Sequence, residues 1–388
     1  MDYRHENGLA GPKKIALIVP SHLSEFSGLY QNVKDIYKGI LKNNLESKIF
    51  IVNTGIKNNI DEIFKGYSFE VIDKSDIIHI NKETDAIFHA DDHSLVRILN
   101  RMNYNTLFSI TWVIYLFGQE IWVEGIKKLR RENAGFSLEN LRGYLIDFVP
   151  RKLMDYFIGW YAGYLRKQYV LAVSSWAANV LEKILGIPTR GIMYTPVDTD
   201  FYPFVPPSKK DSRILIFLGS KRDTDIILLT KVLEIIKRIN PSLGLDTFGS
   251  EELYVKLKEK VPLTYLGKLT RQELGKEYGR HLITIAPQFD GTFEMVPIES
   301  LLTGTPVITY MNSLIEVVKC DHMVLNIENI ELLEKYLRFL TKSEDMDVVS
   351  RELREKIAEH VDVKRNAQQL INNYIPHFLT VKGTNITK

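Results

Sequence analysis

Residues Asp290 to Ile308 read DGTFEMVPIESLLTGTPVI. The stretch opens on three turn-forming residues, Asp290, Gly291 and Thr292, and continues into a helical pattern carrying one carboxylate, Glu299. Gly304 ends that pattern, and Thr305-Pro306 leads into the apolar run Val307-Ile308. A loop whose free backbone N–H groups open a helix is a ready anion site. A carboxylate one turn into the helix can accept from the two hydroxyls of a neighbouring diol. Anion and diol together are what a nucleotide presents, and a sugar diphosphate fits both.

Outward from this stretch, apolar runs alternate with helix-period segments through most of the chain. That is the pattern of repeated strand–helix units around parallel sheets, an α/β fold. The predicted strands of the first half are Ile15–Pro20, Lys48–Asn53, Ile77–Ile80, Ala86–His89, Leu107–Val113 and Val170–Val173. Those of the second half are Ile214–Leu218, Leu243–Phe248, Leu263–Leu266, Leu282–Ile285, Val307–Tyr310 and Met323–Ile327. Helices are predicted between them, among them Thr224–Ile239, Arg271–Tyr278 and Asn329–Leu340, and an amphipathic helical segment follows Asp345. The stretch Thr195–Lys210 holds Pro196, Pro203, Pro206 and Pro207, which disfavour a regular element. It reads as the break between two doubly wound domains facing across a cleft.

The chain has 388 residues, enough for two ordinary cores. A hydrophobic fraction of 45% and a charged fraction of 25% are those of a soluble globular protein. A net charge of +2 argues against a nucleic-acid partner. The single cysteine, Cys320, excludes an internal disulfide framework and fits a reducing compartment. Its neighbours Val317 and Val318 mark it as a packing residue. Residues 1–12 carry no apolar signal region, and Thr106–Gly118 is too short to span a bilayer. A cytoplasmic protein is expected.

Three blocks of the second half resemble the retaining GT-B glycosyltransferases of family four. The first is Val173-Ser174-Ser175 and a helix, then Gly186-Ile187-Pro188 and Pro196-Val197-Asp198 leading to Phe201-Tyr202-Pro203. The second is a strand ending at Gly219, with Gly249 and Tyr265-Leu266-Gly267-Lys268 downstream. The third runs from Pro287 to Ile308, and the blocks together span roughly residues 170–330. The resemblance implies a GT-B fold of two Rossmann-like domains. The acceptor-binding domain would cover 13–200 after a tail at 1–12, and a linker 201–212. The donor-binding domain would cover 213–360, and a helical tail, 361–388, would pack back on the first domain. The implied activity is transfer of a sugar from a nucleotide diphosphate sugar, UDP- or GDP-linked, to an acceptor with retention of configuration. No metal or other cofactor is required on this account.

By resemblance Glu299 binds the donor ribose; the plainer alternative is a solvated helix acid favoured by the helix dipole. The loop through Gly291 and Thr292 would hold the donor sugar and diphosphate, with backbone N–H groups near Phe293, Glu294 and Met295 facing the phosphates. The family pattern places a first Glu eight positions before the second, where this chain has Gly291. Either Asp290 or Glu294 supplies that acid and orients the donor sugar. Lys221 and Arg222 follow Gly219 and would stabilise the departing diphosphate; alternatively they are solvated loop cations. The family's Arg–Lys pairing is partial here, with Asp225 at the later position. Gly249 and the turn at Lys268-Leu269 would meet the base through backbone groups, and a plain turn is the alternative. Gly28, after the first strand, would approach the donor phosphates, or simply start a helix.

On the acceptor side the resemblance points to Trp112, which stands where the family often has His, and to His89 and Asp91 of the HADDH segment. That segment also has a metal-like composition, but Asp91 or Asp92 capping a helix near Ser94 explains it more simply. Asp198-Thr-Asp200 and Asp223-Thr-Asp225 read as turn and capping residues. Lys127 to Lys167 carries nine Lys/Arg against four Asp/Glu, with Leu153, Phe157, Trp160 and Tyr164 on one helical face. Such a surface suits an anionic membrane and a glycan or lipid-linked acceptor; a helix packed on its own sheet is the alternative. A catalytically silent, nucleotide- or partner-binding relative is the competing function, motivated by Gly291 and Trp112.

Overall fold

The computed structural model describes residues 14–21, 28–55, 59–77, 79–80, 84, 86–90, 107–110, 159–160, 162–219, 226–287, 295–310, 315–318, 323–340 and 345–386. The chain divides into two compact units. The first holds β1 (Lys14–Pro20), β2 (Glu46–Val52), β3 (Phe69–Ile72), β4 (Ala86–Ala90), β5 (Leu107–Ile110) and β6 (Tyr169–Ala172). Their order in the sheet is β3-β2-β1-β4-β5-β6, and every pairing is parallel. The second unit, from Asp198 to His360, holds β7 (Asp211–Leu218), β8 (Gly244–Gly249), β9 (Thr264–Tyr265), β10 (His281–Ala286), β11 (Val307–Thr309) and β12 (Val324–Asn326). Their order is β12-β11-β10-β7-β8-β9, again all parallel.

Parallel strands covered on both faces must be apolar along their length rather than alternating. Ile15 to Val19 of β1 are fully buried, and so are Val170 to Ala172 of β6. That continuity made the central strands legible in sequence. One predicted strand is corrected. Ile77–Ile80 is not extended: Ile77, His79 and Ile80 are helical. Asp73-Lys74-Ser75-Asp76 turns the chain first, through bonds from Asp76 N to the Asp73 carbonyl (3.0 Å) and from His79 N to the Asp76 carbonyl (2.9 Å). The edge strand is Phe69–Ile72 instead, registered on β2 with Ile49 opposite Phe69.

The proline-rich stretch after residue 195 carries two short 3-10 turns, Thr199–Phe201 and Pro207–Lys209. Proline keeps regular helix and strand out of it, but it is not loose chain: Tyr202 is fully buried in the second unit. The C-terminal segment returns to the first unit. Val197 N bonds the Val361 carbonyl (2.7 Å) and Val363 N bonds the Val197 carbonyl (3.2 Å). The Val363–Gln369 helix, capped by the Asp362 side chain, then crosses the Gly28–Lys42 helix. Leu370, Ile375 and Phe378 complete the first unit's core.

The amino half of the second sheet is tied by a buried polar cluster. Arg213 Nε donates to Asp246 Oδ2 (2.6 Å), and a second Arg213 N–H bonds Oδ1. His281 Nε2 lies 2.9 Å from Asp246 Oδ2, and its Nδ1 lies 2.6 Å from the Glu277 carbonyl. Burial works to raise the Asp246 carboxyl, but the bonds and charges of Arg213 and His281 outweigh it and hold the group below its ordinary value.

Two outcomes are expected. At Gly39, a Cβ would stand 2.2 Å from the Val363 carbonyl oxygen and 2.8 Å from Ala367 Cβ. Gly39→Ala therefore wedges the two helices apart and costs about 1–3 kcal/mol, read as a lowered Tm. A depressed carboxylate contributes stability above its unfolded pKa and loses it as pH falls through the folded value. Asp246→Asn should thus cost on the order of 2 kcal/mol at neutral pH, and urea melts in acid should show the gap to the unaltered protein closing.

Candidate functional site

In an open parallel sheet, ligands bind beyond the carboxyl ends of the strands where the winding reverses. In the second unit the chain winds from β7 out to β8 and β9, then returns through β10 to the other side of β7. The reversal lies between β7 and β10. β7 leads into Gly219, and β10 leads through Pro287 to the Met295–Leu302 helix. In the first unit the reversal lies between β1 and β4. Gly28 opens the helix that follows β1, and His89 is the penultimate residue of β4, opposite Ile18 of β1. The strand ends therefore bring Gly219, Met295, Gly28 and His89 to the two reversal points. Lys221, Arg222, Asp290, Gly291, Thr292, Phe293, Glu294, Asp91 and Trp112 lie outside the described residues, as do the Cys320 thiol and the basic stretch up to residue 158.

Glycines shape the carboxyl ends of β7 to β9. Gly249 has φ +105 and Gly267 has φ +84, conformations that side chains with a Cβ resist. A Cβ on Gly249 would also stand 2.2 Å from the Leu218 carbonyl oxygen. Gly249 N bonds the Gly267 carbonyl (3.0 Å), and Ser250 N bonds the Leu218 carbonyl (2.8 Å). Ser250 then caps the Glu251–Lys258 helix, accepting from Leu253 N. Gly219, Gly249 and the Gly267-Lys268-Leu269 turn thereby lie together at the carboxyl ends of β7 to β9.

The helix carrying Glu299 is almost wholly interior, with Pro297 to Leu302 buried. Proline is tolerated in a first turn because the N–H it lacks has no intrahelical partner there. Ser300 Oγ bonds both Thr284 Oγ1 (2.8 Å) and the Thr305 carbonyl (3.1 Å), fastening the helix to β10. Gly304 ends it at φ +78. Thr305 N bonds the Ser300 carbonyl (3.1 Å) and Gly304 N the Leu301 carbonyl (2.9 Å), a Schellman closure. Cations reinforce the closure at the negative end of the helix. Arg354 bonds the Leu302 carbonyl and the Tyr202 carbonyl at 2.6 Å. Lys210 Nζ donates to Thr305 Oγ1 (2.7 Å) and the Gly279 carbonyl (3.0 Å), and lies 3.4 Å from the Thr303 carbonyl. Burial pushes Lys210 down to about 7, with Asp347 working against it.

Glu299 itself is only 7% exposed, so it is not a solvated helix acid. Tyr278 Oη donates to its Oε2 at 3.4 Å, and the Glu299 charge also reaches the buried Tyr202 phenol. Arg271 Nε donates to Tyr202 Oη at 3.3 Å. Burial, and then the Glu299 charge, hold both phenols above their ordinary pKa, so they remain protonated donors. Tyr278, Tyr202, Arg271, Lys210 and Arg354 carried no functional signal in sequence. Tyr202 was visible only as part of the Phe201-Tyr202-Pro203 block, and Tyr278 only as a helical position.

Two Rossmann-like units of this kind define the GT-B fold, and the chain has it. No protein-family profile matches the sequence, and no curated protein matches it either. Solved structures do match in fold. HepE from Anabaena, crystallised with UDP and glucose, superposes with TM-score 0.62 at 13% identity, over 92% of this chain and 98% of that one. Sucrose-phosphate synthase from Thermosynechococcus elongatus gives 0.64 at 12% identity over 95% and 100%. A glycosyltransferase from Rickettsia africae gives 0.64 at 14% identity over 94% and 98%.

At Gly304 the φ is left-handed, and a Cβ would meet Phe204 Cε2 at 2.7 Å and the Val205 carbonyl oxygen at 2.9 Å. Gly304→Ala is therefore expected to cost about 2–4 kcal/mol, combining backbone strain with overpacking. Guanidinium melts check this.

Proposed function

We propose that the protein is a nucleotide-sugar-dependent glycosyltransferase that retains the anomeric configuration. The observation that carries this reading is Glu299, a buried carboxylate on the helix after β10, beside the winding reversal of the second sheet of a GT-B fold. Glycosyltransferases among the similar folds support it, HepE having been crystallised with UDP and glucose. In this reading the second unit takes the donor. Glu299 accepts from the ribose hydroxyls, and backbone groups at Gly249 and Lys268-Leu269 meet the base. The donor is a UDP- or GDP-sugar.

The N–H groups of Gly291, Thr292, Phe293 and Met295, with Lys221 and Arg222, neutralise the diphosphate, so that no metal is required. Asp290 or Glu294 orients the sugar. The bond from the anomeric carbon to the β-phosphate oxygen breaks with its electron pair passing to that oxygen. The acceptor hydroxyl bonds to the same face of the carbon, and its proton passes to the departing phosphate. The protein's part is positioning and charge stabilisation. The first unit takes the acceptor through Gly28, His89, Asp91 and Trp112, and the acceptor is a glycan or a lipid-linked sugar. Among the described residues no helix is long and apolar enough to cross a membrane. Contact with an anionic membrane surface would instead use the basic and aromatic stretch Lys127–Lys167.

A panel of UDP-, GDP- and ADP-sugars with mixed glycan acceptors should show release of nucleoside diphosphate with one of them. Glu299→Ala should raise KM for that donor and lower kcat/KM by about 100-fold, as expected for losing two hydrogen bonds to a charged group, while the circular dichroism spectrum stays unchanged. Unaltered kinetics in this variant would remove Glu299 from the site.

A further inference from the structure

The sheet itself does little to hold the turn after β9. That strand has two residues, lies at the sheet edge, and pairs Thr264 with Asp246 and Tyr265 with Thr247. Past the pairing, Leu266 N bonds the Thr247 carbonyl (2.8 Å). Among the described residues, a Cβ on Gly267 would meet nothing within 4 Å, so packing at that glycine does not hold the turn.

Two tyrosines supply what the short strand lacks. Tyr265 Oη donates to the Gly249 carbonyl at 2.8 Å, and the Gly249 N–H donates to the Gly267 carbonyl at 3.0 Å. The side-chain bond and the backbone bond meet at one residue, so Tyr265, Gly249 and Gly267 close a ring. A trans peptide is planar, so fixing the Gly267 carbonyl also fixes the direction of the Lys268 N–H. The Tyr265 ring is held by Tyr254, on the Glu251–Lys258 helix that follows Gly249. The two rings stack 4.7 Å apart at an interplanar angle of 13°, and Lys258 Nζ lies 5.3 Å from the Tyr254 centroid. Tyr254 uses its ring alone, its hydroxyl bonding nothing among the described residues. Burial, and then the Glu251 charge, hold the Tyr265 phenol above its ordinary pKa, so it stays a donor.

We propose that Tyr265 is a positioning residue for the base of the donor nucleotide. Resting on the reading that Gly249 and Lys268-Leu269 meet that base, its hydroxyl and its stack on Tyr254 set the spacing of the two turns. Ribose and diphosphate are held elsewhere in that reading. A phenol that spaces these turns therefore acts on base capture, whereas one that only steadies the unit does not distinguish a ligand with a base from one without.

The test is calorimetric binding of UDP, GDP and the base-free ribose 5-diphosphate to the unaltered protein and to Tyr265→Phe, Tyr254→Ala and Tyr254→Phe. Tyr265→Phe keeps the ring and loses one neutral hydrogen bond. It should bind the preferred nucleotide about fivefold more weakly and ribose 5-diphosphate as before, so that the ratio between them falls. Tyr254→Ala, which removes the stack, should lower the same ratio, and Tyr254→Phe, which keeps the ring, should restore it. In turnover, Tyr265→Phe should raise KM for the donor with kcat retained. Should Tyr254→Ala fail to fold, Tyr265→Phe carries the test. If the unaltered protein prefers a nucleotide and Tyr265→Phe keeps that preference, or weakens both ligands equally, this inference alone fails. If the unaltered protein binds UDP and GDP no tighter than ribose 5-diphosphate, or binds none of the three, the assignment of these turns to a base fails and this inference with it.

Discussion

A carboxylate largely buried in the second unit is unstable without polar partners, and the arrangement around Glu299 follows from that requirement. Those described come from distant parts of the chain. Tyr278, which donates to Glu299, is supplied by the helix before β10, and the buried Tyr202 phenol, raised by the Glu299 charge, by the proline-rich stretch that enters the second unit. Arg271 and Arg354 in turn fix Tyr202 by its hydroxyl and its carbonyl. The stretch from Asp198 onward is thus part of the second unit, with Tyr202 in its interior. Its prolines deny it regular structure, and its aromatic and cationic residues give it a packing role.

The same helix is fastened at its other end by backbone geometry. Gly304 adopts a left-handed turn under Phe204 and Val205, and Lys210 and Arg354 meet the Thr303 and Leu302 carbonyls released there. Without the Schellman closure the buried carbonyls at this end would lack partners. The two ends of the second sheet divide the work. The amino half is locked by Asp246, Arg213 and His281. The carboxyl end is built from left-handed glycine turns at Gly249 and Gly267, tied together by the bond from Gly249 N to the Gly267 carbonyl.

Much of this was legible in the sequence because the signals are local. Continuous apolar runs revealed the central strands, since both faces of a parallel sheet are covered. Gly304 was readable as a helix end, and it is, with φ +78; the helix expected after Val173-Ser174-Ser175 is there too, capped by Ser174, which accepts from Ala177 N at 3.0 Å. Ile77–Ile80 misled because a four-residue apolar run fits a helix as well as a strand, and the turn residues Asp73 to Asp76 decided between them. The partners of Glu299 were not legible at all. Tyr278 is 21 residues away in sequence, and no spacing rule links a tyrosine on one helix to a carboxylate on the next.

By itself, the sequence determined the α/β class, the existence of two units, the helix that carries Glu299 and where that helix stops. Each of these follows from periodicity, composition or a residue's own backbone preference. Tertiary structure alone decided that Glu299 is buried rather than solvated and that Tyr278 donates to it. It also decided that Lys210 and Arg354 close its helix and that residues from Val361 onward complete the first unit's core. Those outcomes depend on which surfaces meet across the folded chain. Contacts between residues far apart in sequence leave no periodic trace in it.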